Sequence, residues 1–424
     1  MNRPGPTLTE RPPAGAAPPG VASVPLVADD LARLDALVDD LLAAHDPRST
    51  DQFTFRGAQY DRGLAWVHFP EGFGGSSLPP RLQRDVDRRL REAGAPPPHG
   101  TLFFGLSLAG PTVVTHGSDE LRRRALRPMF TGEEIWCQLF SEPGAGSDLA
   151  GLATRAVRDG DEWIVNGQKV WNTLAHLADR GMLVARTDPE LPKHKGLTYF
   201  MVDMHAPGVE VRPLRQITGE AEFNEVYFTD ARVADRDRIG DVGDGWRVSM
   251  TTLMNERTTI GGATSGGSGR RVGAIGEALD LWSKRADHDP VNRDRLAKLW
   301  IDNEVLRYTN MRAAANARAG NPGPEGSIAK LALANTNKAT YELCIDLLGA
   351  DGLVSYDYTF KRPDEAGLDA PLGSSRKMFL RARANSIEGG TSEIMRNILG
   401  ERILGLPGEP RTDRDLPWSQ VPRS

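Results

Sequence analysis

The chain has 424 residues, 39% of them hydrophobic, which is enough for a large buried core spread over roughly two to three domains. Its 52 basic and 57 acidic side chains leave a formal charge of -5, so it lacks the positive field that draws in nucleic acid or an anionic membrane, and any anionic ligand has to be held by a local pocket. Cys137 and Cys344 are the only two cysteines, too few for a disulfide framework, and neither has a His at ligand spacing, so no metal site is expected. The start of the chain lacks a basic segment leading into an apolar one, and no run of ~18 apolar residues occurs, so secretion and a membrane span are disfavoured and the expected location is cytoplasmic.

Residues 1–25 carry seven prolines among Gly and Ala and are read as a disordered tail. From Ala28, the spacing of Leu31, Leu34, Leu37, Val38, Leu41 and Leu42 is helical, and similar patterns recur over 80–93 and 102–130, so 26–136 is expected to be a helical domain. The texture then changes. Short runs such as Glu162–Val165, Met182–Ala185 and Thr198–Val202 are rich in β-branched and aromatic residues, and Asp159-Gly160 and Asn166-Gly167 supply hairpin-turn chemistry, which predicts an antiparallel β domain over 137–240. Helical periodicity returns through Trp246–Leu253, Arg295–Asn316, Ser327–Leu348 and Thr391–Leu404, giving a helical bundle over 241–408 and a Pro-rich tail over 409–424.

Helices, then strands, then helices leave no βαβ alternation, which removes the Rossmann and P-loop readings. Gly144-Ala145-Gly146 resembles the start of a dinucleotide fingerprint, but Leu149 stands three residues beyond Gly146 and no helix–strand repeat follows. The glycines at 261, 262, 266, 267 and 269 lack a phosphate-loop lysine and read as a helix end or close helix packing.

Four segments carry side chains suited to chemistry. In Cys137–Asp148 an apolar run gives way to a glycine-rich loop whose N–H groups and hydroxyls can hold a polar heterocycle and phosphate oxygens, though an ordinary turn reads the same way. In Lys169-Val170-Trp171-Asn172-Thr173, an indole and a hydroxyl two residues apart share one face of a strand, which suits stacking on a ring or plain core packing. Asn255-Glu256-Arg257 lies on the helix after Gly243-Asp244-Gly245, where a Glu–Arg neighbour pair is ordinarily a solvated face. The fourth segment, Ser386–Ile394, joins two helices through Glu388, Gly389, Gly390 and the potential cap Thr391, and is either a simple corner or an anion-binding helix start.

Taken together and in this order, the four segments resemble the acyl-CoA dehydrogenase family over about 100–408, with Ser141 where Thr is commoner. The resemblance implies an α+β fold with an N-terminal helical domain, a middle antiparallel β domain and a C-terminal four-helix bundle, and FAD wedged between the last two. It implies that Phe140, Ser141, Gly146, Ser147, Trp171, Thr173, Gly349, Thr391 and Glu393 hold the flavin. Ser147, Met254, Arg257 and Gly390 would meet an acyl-CoA substrate. The family's chemistry takes a proton from Cα of the thioester and a hydride from Cβ, so one carboxylate base must reach Cα. Of the family's two base positions, the one before the Gly-Thr pair is Gly389 here, with Glu388 one residue early, while the helix position is Glu256, followed by Arg257. Glu256 is therefore the expected base, Glu388 the alternative, and Arg257 its neighbour.

Two departures bear on assembly and fit. The family's Arg-x-x-Phe-Gly, which touches a neighbouring subunit's flavin, is replaced by Ser283–Pro290, leaving Lys284 or Arg285 to substitute, and the glutamine near the later glycine turn is replaced by Asp346. Lys193, His194 and Lys195 form a basic loop, read either as a CoA-phosphate contact or as a solvated hairpin. The expected partners are an acyl-CoA, an electron-transfer flavoprotein, and further copies or a paralogue in an oligomer. The overall texture looks like actinobacterial members, some of which act on branched or sterol-derived chains. The competing readings are an oxidase, a monooxygenase or a carrier-protein thioester dehydrogenase of the same fold, and a non-catalytic subunit of a heteromer.

Overall fold

The computed structural model describes residues 28–263, 273–318, 323–354, 359–363, 374–410 and 412–422; the side chains of 28, 257–263, 317 and 318 lie outside the description, as do the expected tail 1–25 and the glycines from Gly266 to Gly269.

The N-terminal helices are α1 (Ala28–Ala44), α2 (Gln52–Asp61), α3 (Gln83–Glu92), α4 (Gly110–His116) and α5 (Asp119–Thr131). Short polar side chains start two of them: Asp51 accepts from the Thr54 amide at 3.0 Å ahead of α2, and Ser118 accepts from Leu121 at 3.2 Å ahead of α5. The single helical run expected over 102–130 is in fact a π-helical turn, Gly105–Ala109, followed by α4 and α5. The run is interrupted at Gly117-Ser118, where a Cβ on Gly117 would lie 2.7 Å from the Val113 carbonyl and Ser118 caps a new helix, while the glycines of the π turn serve close packing. A Cβ on Gly105 would lie 2.9 Å from Met129 Cγ, and one on Gly110 would lie 2.8 Å from the Trp66 ring.

The strands are β1 (Trp136–Leu139), β2 (Arg155–Asp159), β3 (Glu162–Lys169), β4 (Arg180–Arg186), β5 (Leu197–Asp203), β6 (Val209–Leu214), β7 (Phe223–Ala234) and β8 (Arg238–Ile239). They form one sheet in the order β6-β7-β3-β2-β4-β5-β8, with β1 beside β4. Most pairings are antiparallel, but β1 runs parallel to β4, and β2 also meets β4 in parallel at Arg155–Arg186, so the sheet is mixed where the sequence suggested a purely antiparallel one. The long connection after β1 permits this, because a parallel neighbour needs a crossover rather than a tight turn. Asp159-Gly160 does turn β2 into β3, with Gly160 at φ 62°. Asn166-Gly167, expected as a second hairpin turn, instead lies inside β3 at a shift of register against β7, where a Cβ on Gly167 would come within 2.4 Å of Thr154 Oγ1.

Alternation splits the sheet's side chains between two cores. Trp136, Met182, Val184, Leu197 and Tyr199 pack with the N-terminal helices, while Cys137, Leu139, Leu183, Ala185, Phe200 and Val202 fill the other face. The C-terminal helices are α6 (Gly245–Ala263), α7 (Ala274–Lys284), α8 (Pro290–Arg318), α9 (Glu325–Leu348), α10 (Ser375–Arg381) and α11 (Ser392–Asn397). The first four make the bundle, cored by Ile275, Ala278, Leu296, Leu299, Tyr341 and Leu343. A buried hydroxyl seats α6 across the domains: Thr252 Oγ1 lies 2.9 Å from Thr112 Oγ1 and 3.1 Å from the Tyr199 hydroxyl. The last stretch, expected as a tail, lies along the β domain. Trp418 is buried there, donating to the Gly151 carbonyl at 3.1 Å, with the Arg186 guanidinium 4.5 Å from its ring.

Candidate active site

The glycine-rich loop after β1 is fixed from beneath by a buried ion pair. Glu142 closes a small backbone ring with Ala145, each accepting from the other's amide at 3.0 Å. Its carboxylate accepts from the amides of Ala153 at 2.6 Å and Thr154 at 2.9 Å and from Lys169 Nζ at 2.8 Å. Lys169 also donates to the Phe140 carbonyl at 3.0 Å, and the Val170 amide donates to Ser141 O at 2.9 Å. Burial would raise the Glu142 pKa, but Lys169 and the surrounding donors hold it below its ordinary value. Burial pushes Lys169 down, offset in part by Glu142. Phe140 and Ser141 are thereby locked to the end of β3, while Gly146 and Ser147 stay exposed at the loop tip.

β3 ends at Lys169, so Trp171 and Thr173 are not on a strand. Trp171 adopts φ 63° and leaves its indole 58% exposed, edge-on to Phe223 at 5.7 Å. Backbone pairing imposes this conformation: Asn172 and Asn224 exchange both amide–carbonyl bonds, at 3.0 and 3.1 Å. Asn172 is buried, donates to the Gln138 carbonyl at 2.8 Å, and its Oδ1 has no partner.

On the bundle side, Glu256 stands half-buried on α6, and its Oε2 lies 3.5 Å from Gln138 Nε2 of β1. Met254 on the same helix is exposed, and Arg257 follows, its side chain outside the description. The corner at 386–391 is held differently. Glu388 accepts from both terminal nitrogens of Arg381, at 3.2 and 2.9 Å, and from Asn385 Nδ2 at 2.7 Å. Burial opposes the Arg381 charge, but Glu388 and Glu222 together hold its pKa above the ordinary value. Gly389 and Gly390 take φ of 61° and 95°, and Thr391 caps α11 by accepting from Ile394 at 3.1 Å. Lys330 and Lys338 of α9 brace the corner through Asn385 O at 2.9 Å and Ser386 Oγ at 2.5 Å. Ser392 Oγ, buried behind it, has no partner.

The structure therefore brings Phe140, Ser141 and Lys169 together, places Gln138 against Glu256, and joins Trp171 to the Glu388 corner through Phe223 and Arg381, whose guanidinium lies 5.9 Å from the Phe223 ring. Gly349 ends α9 at φ 61°, and Glu393 pairs with Arg396 at 3.0 Å, each held by a different part of the bundle. Four participants escaped the sequence reading: Gln138, Glu142, Asn172 and Arg381. Gln138 interrupts what looked like an apolar run, and that interruption was the available signal. Arg285 is engaged within its own chain, with Asp287 at 2.8 Å and the Leu347 carbonyl at 2.5 Å, and Asp346 pairs with Arg295 at 2.7 Å. Lys193 is bound by Asp148 at 2.9 Å and Asp413 at 2.6 Å, so it is neither a ready phosphate ligand nor a solvated loop lysine. Among the described residues no cluster of His, Cys, Asp and Glu could hold a metal, and no helix is long and apolar enough to cross a membrane.

A mixed sheet packed with helical domains, with a helix carboxylate set against the strand that leads into a glycine loop, defines a class that comparison with known proteins identifies. The middle-domain model of acyl-CoA dehydrogenases matches residues 137–231 and the C-terminal-domain model matches 243–404. The chain belongs to the acyl-CoA dehydrogenase family, flavin-dependent oxidoreductases. It is 39% identical over 350 residues to the acyl-CoA dehydrogenase IpdE1 of Mycobacterium tuberculosis, covering 82% of this chain and 86% of that protein. It is 38% identical to FadE34 of the same organism, again over 82% of this chain but only 45% of that longer protein. Among solved structures, the Tcur3481-Tcur3483 steroid ACAD shares the fold at TM-score 0.67 and 24% identity, over 91% of this chain and 99% of that one.

Proposed function

We propose that this enzyme uses FAD to convert an acyl-CoA thioester to its trans-2-enoyl-CoA, with Glu256 as the base. The arrangement of the two candidate carboxylates carries the reading. Glu388 is tied to Arg381 and Asn385, so taking a proton would cost it a bidentate ion pair. Glu256 meets an amide on β1, immediately before the Phe140–Ser147 loop.

The residues present fit a flavin. Trp171 offers an exposed ring in a strained backbone setting, and Asn172 Oδ1 and Ser392 Oγ are buried polar atoms without partners, as expected where a polar heterocycle completes the hydrogen bonding. Phe140, Ser141, Gly146, Ser147, Trp171 and Thr173 would hold the ring and its phosphates, with Gly349, Thr391 and Glu393 on the bundle side. When bound, FAD supplies the acceptor for the hydride leaving Cβ. Glu256 would take the Cα proton and end as the neutral acid, while the electrons of that C–H bond become the new Cα–Cβ double bond. Arg257 stabilises the ionised base or positions the thioester. Ser147, Met254 and Gly390 would line the substrate's approach, and an electron-transfer flavoprotein would be the electron acceptor.

The test is anaerobic bleaching of the flavin by a panel of linear, branched and sterol-derived acyl-CoA thioesters. E256Q should abolish bleaching and E388Q should retain it. The reverse pattern would transfer the base to Glu388, and a protein that takes up no flavin on reconstitution would refute the reading.

A further inference from the structure

β1 presents one polar side chain on the face it turns to the N-terminal domain and α6. Alternation puts Gln138 on the side of Trp136, and the neighbouring side chains on that face, Met182, Val184 and Tyr199, are buried in the same core. A half-buried amide on such a face is unfavourable unless it is paired, so its placement calls for a partner. That partner is Glu256, with Gln138 Nε2 3.5 Å from Oε2.

Both ends of this contact are rigidly held. Gln138 is paired to Met182 across the ladder, and its carbonyl accepts from buried Asn172 at 2.8 Å. On α6, Thr252, one turn before Glu256, is pinned between Thr112 and Tyr199. Two fixed elements at 3.5 Å leave a long hydrogen bond of the kind that tightens when substrate displaces water.

We propose that Gln138 is a positioning residue for the dehydrogenation, its amide holding the Glu256 carboxylate in one orientation and favouring its ionised form. The inference rests on Glu256 being the base. A hydrogen bond to the charged form of a carboxylate lowers its proton affinity, and a neutral amide does so without the like-charge repulsion a second carboxylate would bring. Titratable groups on the elements packed against α6 are engaged elsewhere. His116 meets Thr251 and Arg247, the Tyr199 hydroxyl meets Thr252, Arg180 pairs with Glu134, and Arg186 donates to Ala150 O and Leu152 O. On α9, Lys330 and Lys338 bind the 385–386 corner, while Glu325, Glu342 and Asp346 pair with Arg312, Arg383 and Arg295. Asp203 on β5 pairs with Arg180, and Arg257 comes next along the helix, its side chain outside the description.

The experiment compares flavin-loaded wild type, Q138L, Q138E and E256Q. In Q138L the acid limb of kcat/KM should move up by about half to one pH unit, with kcat down roughly tenfold and KM changed less than about threefold. Q138E should move the limb further, because it sets a second carboxylate against the first. Q138M gives the same readout as Q138L should the leucine variant fail to fold. Unshifted limbs in both Q138L and Q138E, with E256Q inactive, would overturn the role of Gln138 and leave the base in place. Full turnover by E256Q would overturn the base assignment, and this inference with it.

Discussion

Lys169 illustrates how a single side chain governs the loop that faces the site. It is wholly buried, and its ammonium is shared between the Glu142 carboxylate and the Phe140 carbonyl. Removing the lysine leaves the Glu142 carboxylate buried without a counter-ion, so K169M should destabilise the protein by about 3–5 kcal/mol, whereas the double variant E142L/K169M should recover part of that loss, the rest reflecting the Ala153 and Thr154 amides that lose their acceptor. Urea titrations of the three proteins decide it; equal losses in the single and double variants would contradict the pairing. Gly390 tests the corner. At φ 95° an added methyl is strained, while the nearest atom, Met395 Cε at 2.7 Å, can move aside, so G390A should cost about 1–2 kcal/mol through the backbone. Glycine-and-hydroxyl motifs of this kind were readable from sequence because their residue types are local requirements. The Gln138, Asn172 and Arg381 contacts were not, because each is made to a residue brought near only by the fold.

At the level of elements, propensity and tertiary pairing disagree at two places. Val170 to Thr173 has strand-like composition, yet Ser141 and Asn224 bind its amides and force a left-handed turn at Trp171. The 102–130 segment has continuous helical periodicity, but the helix ends at Gly117 and Ser118 caps a new one, while Gly105 and Gly110 allow close approach to Met129 and Trp66. The joint between α4 and α6 carries its own pH dependence. His116 accepts from Arg247 through Nδ1 at 3.2 Å and lies 2.8 Å from the Thr251 hydroxyl through Nε2, which defines a neutral imidazole. Burial, aided by Arg247, holds its pKa below the ordinary 6.5, and burial does the same to His68. The unfolded chain then takes up protons at higher pH than the folded one. The contribution of these rings is complete above about 6.5 and is lost as the pH falls below it. The carboxylates Asp235 and Asp244, held low chiefly by Arg238 and Arg247, act only nearer 3.8. Tm should therefore drop by a few degrees between pH 7.5 and 5.5, and H68N/H116N should flatten that slope. An unchanged slope would show that neither ring matters.

Across the whole molecule, composition and periodicity foretold helices, sheet, then a helical bundle, and the family resemblance added that the bundle has four helices. The mixed character of the sheet was hidden, since parallel pairing depends on where a long crossover returns. The return of the C-terminal stretch was hidden too, because its proline content resembles that of a free tail. Trp418 anchors the stretch under Arg186, and Asp413 secures it to Lys193. The W418A variant should lose about 3 kcal/mol of local docking energy, roughly a hundredfold in opening. Tryptic cleavage after Arg414 should accelerate accordingly while global Tm barely moves. Cleavage at the wild-type rate would mean the stretch is held by other contacts.

The open indole of Trp171 has an optical consequence. The chain has eight tryptophans, and among the described residues Trp171 alone is strongly exposed. Its emission should form the most red-shifted component and the one iodide reaches best, separable from the four buried and three half-buried tryptophans by difference against W171F. Titrating apo-protein with flavin should extinguish that component first, giving a readout of cofactor loading that requires no turnover.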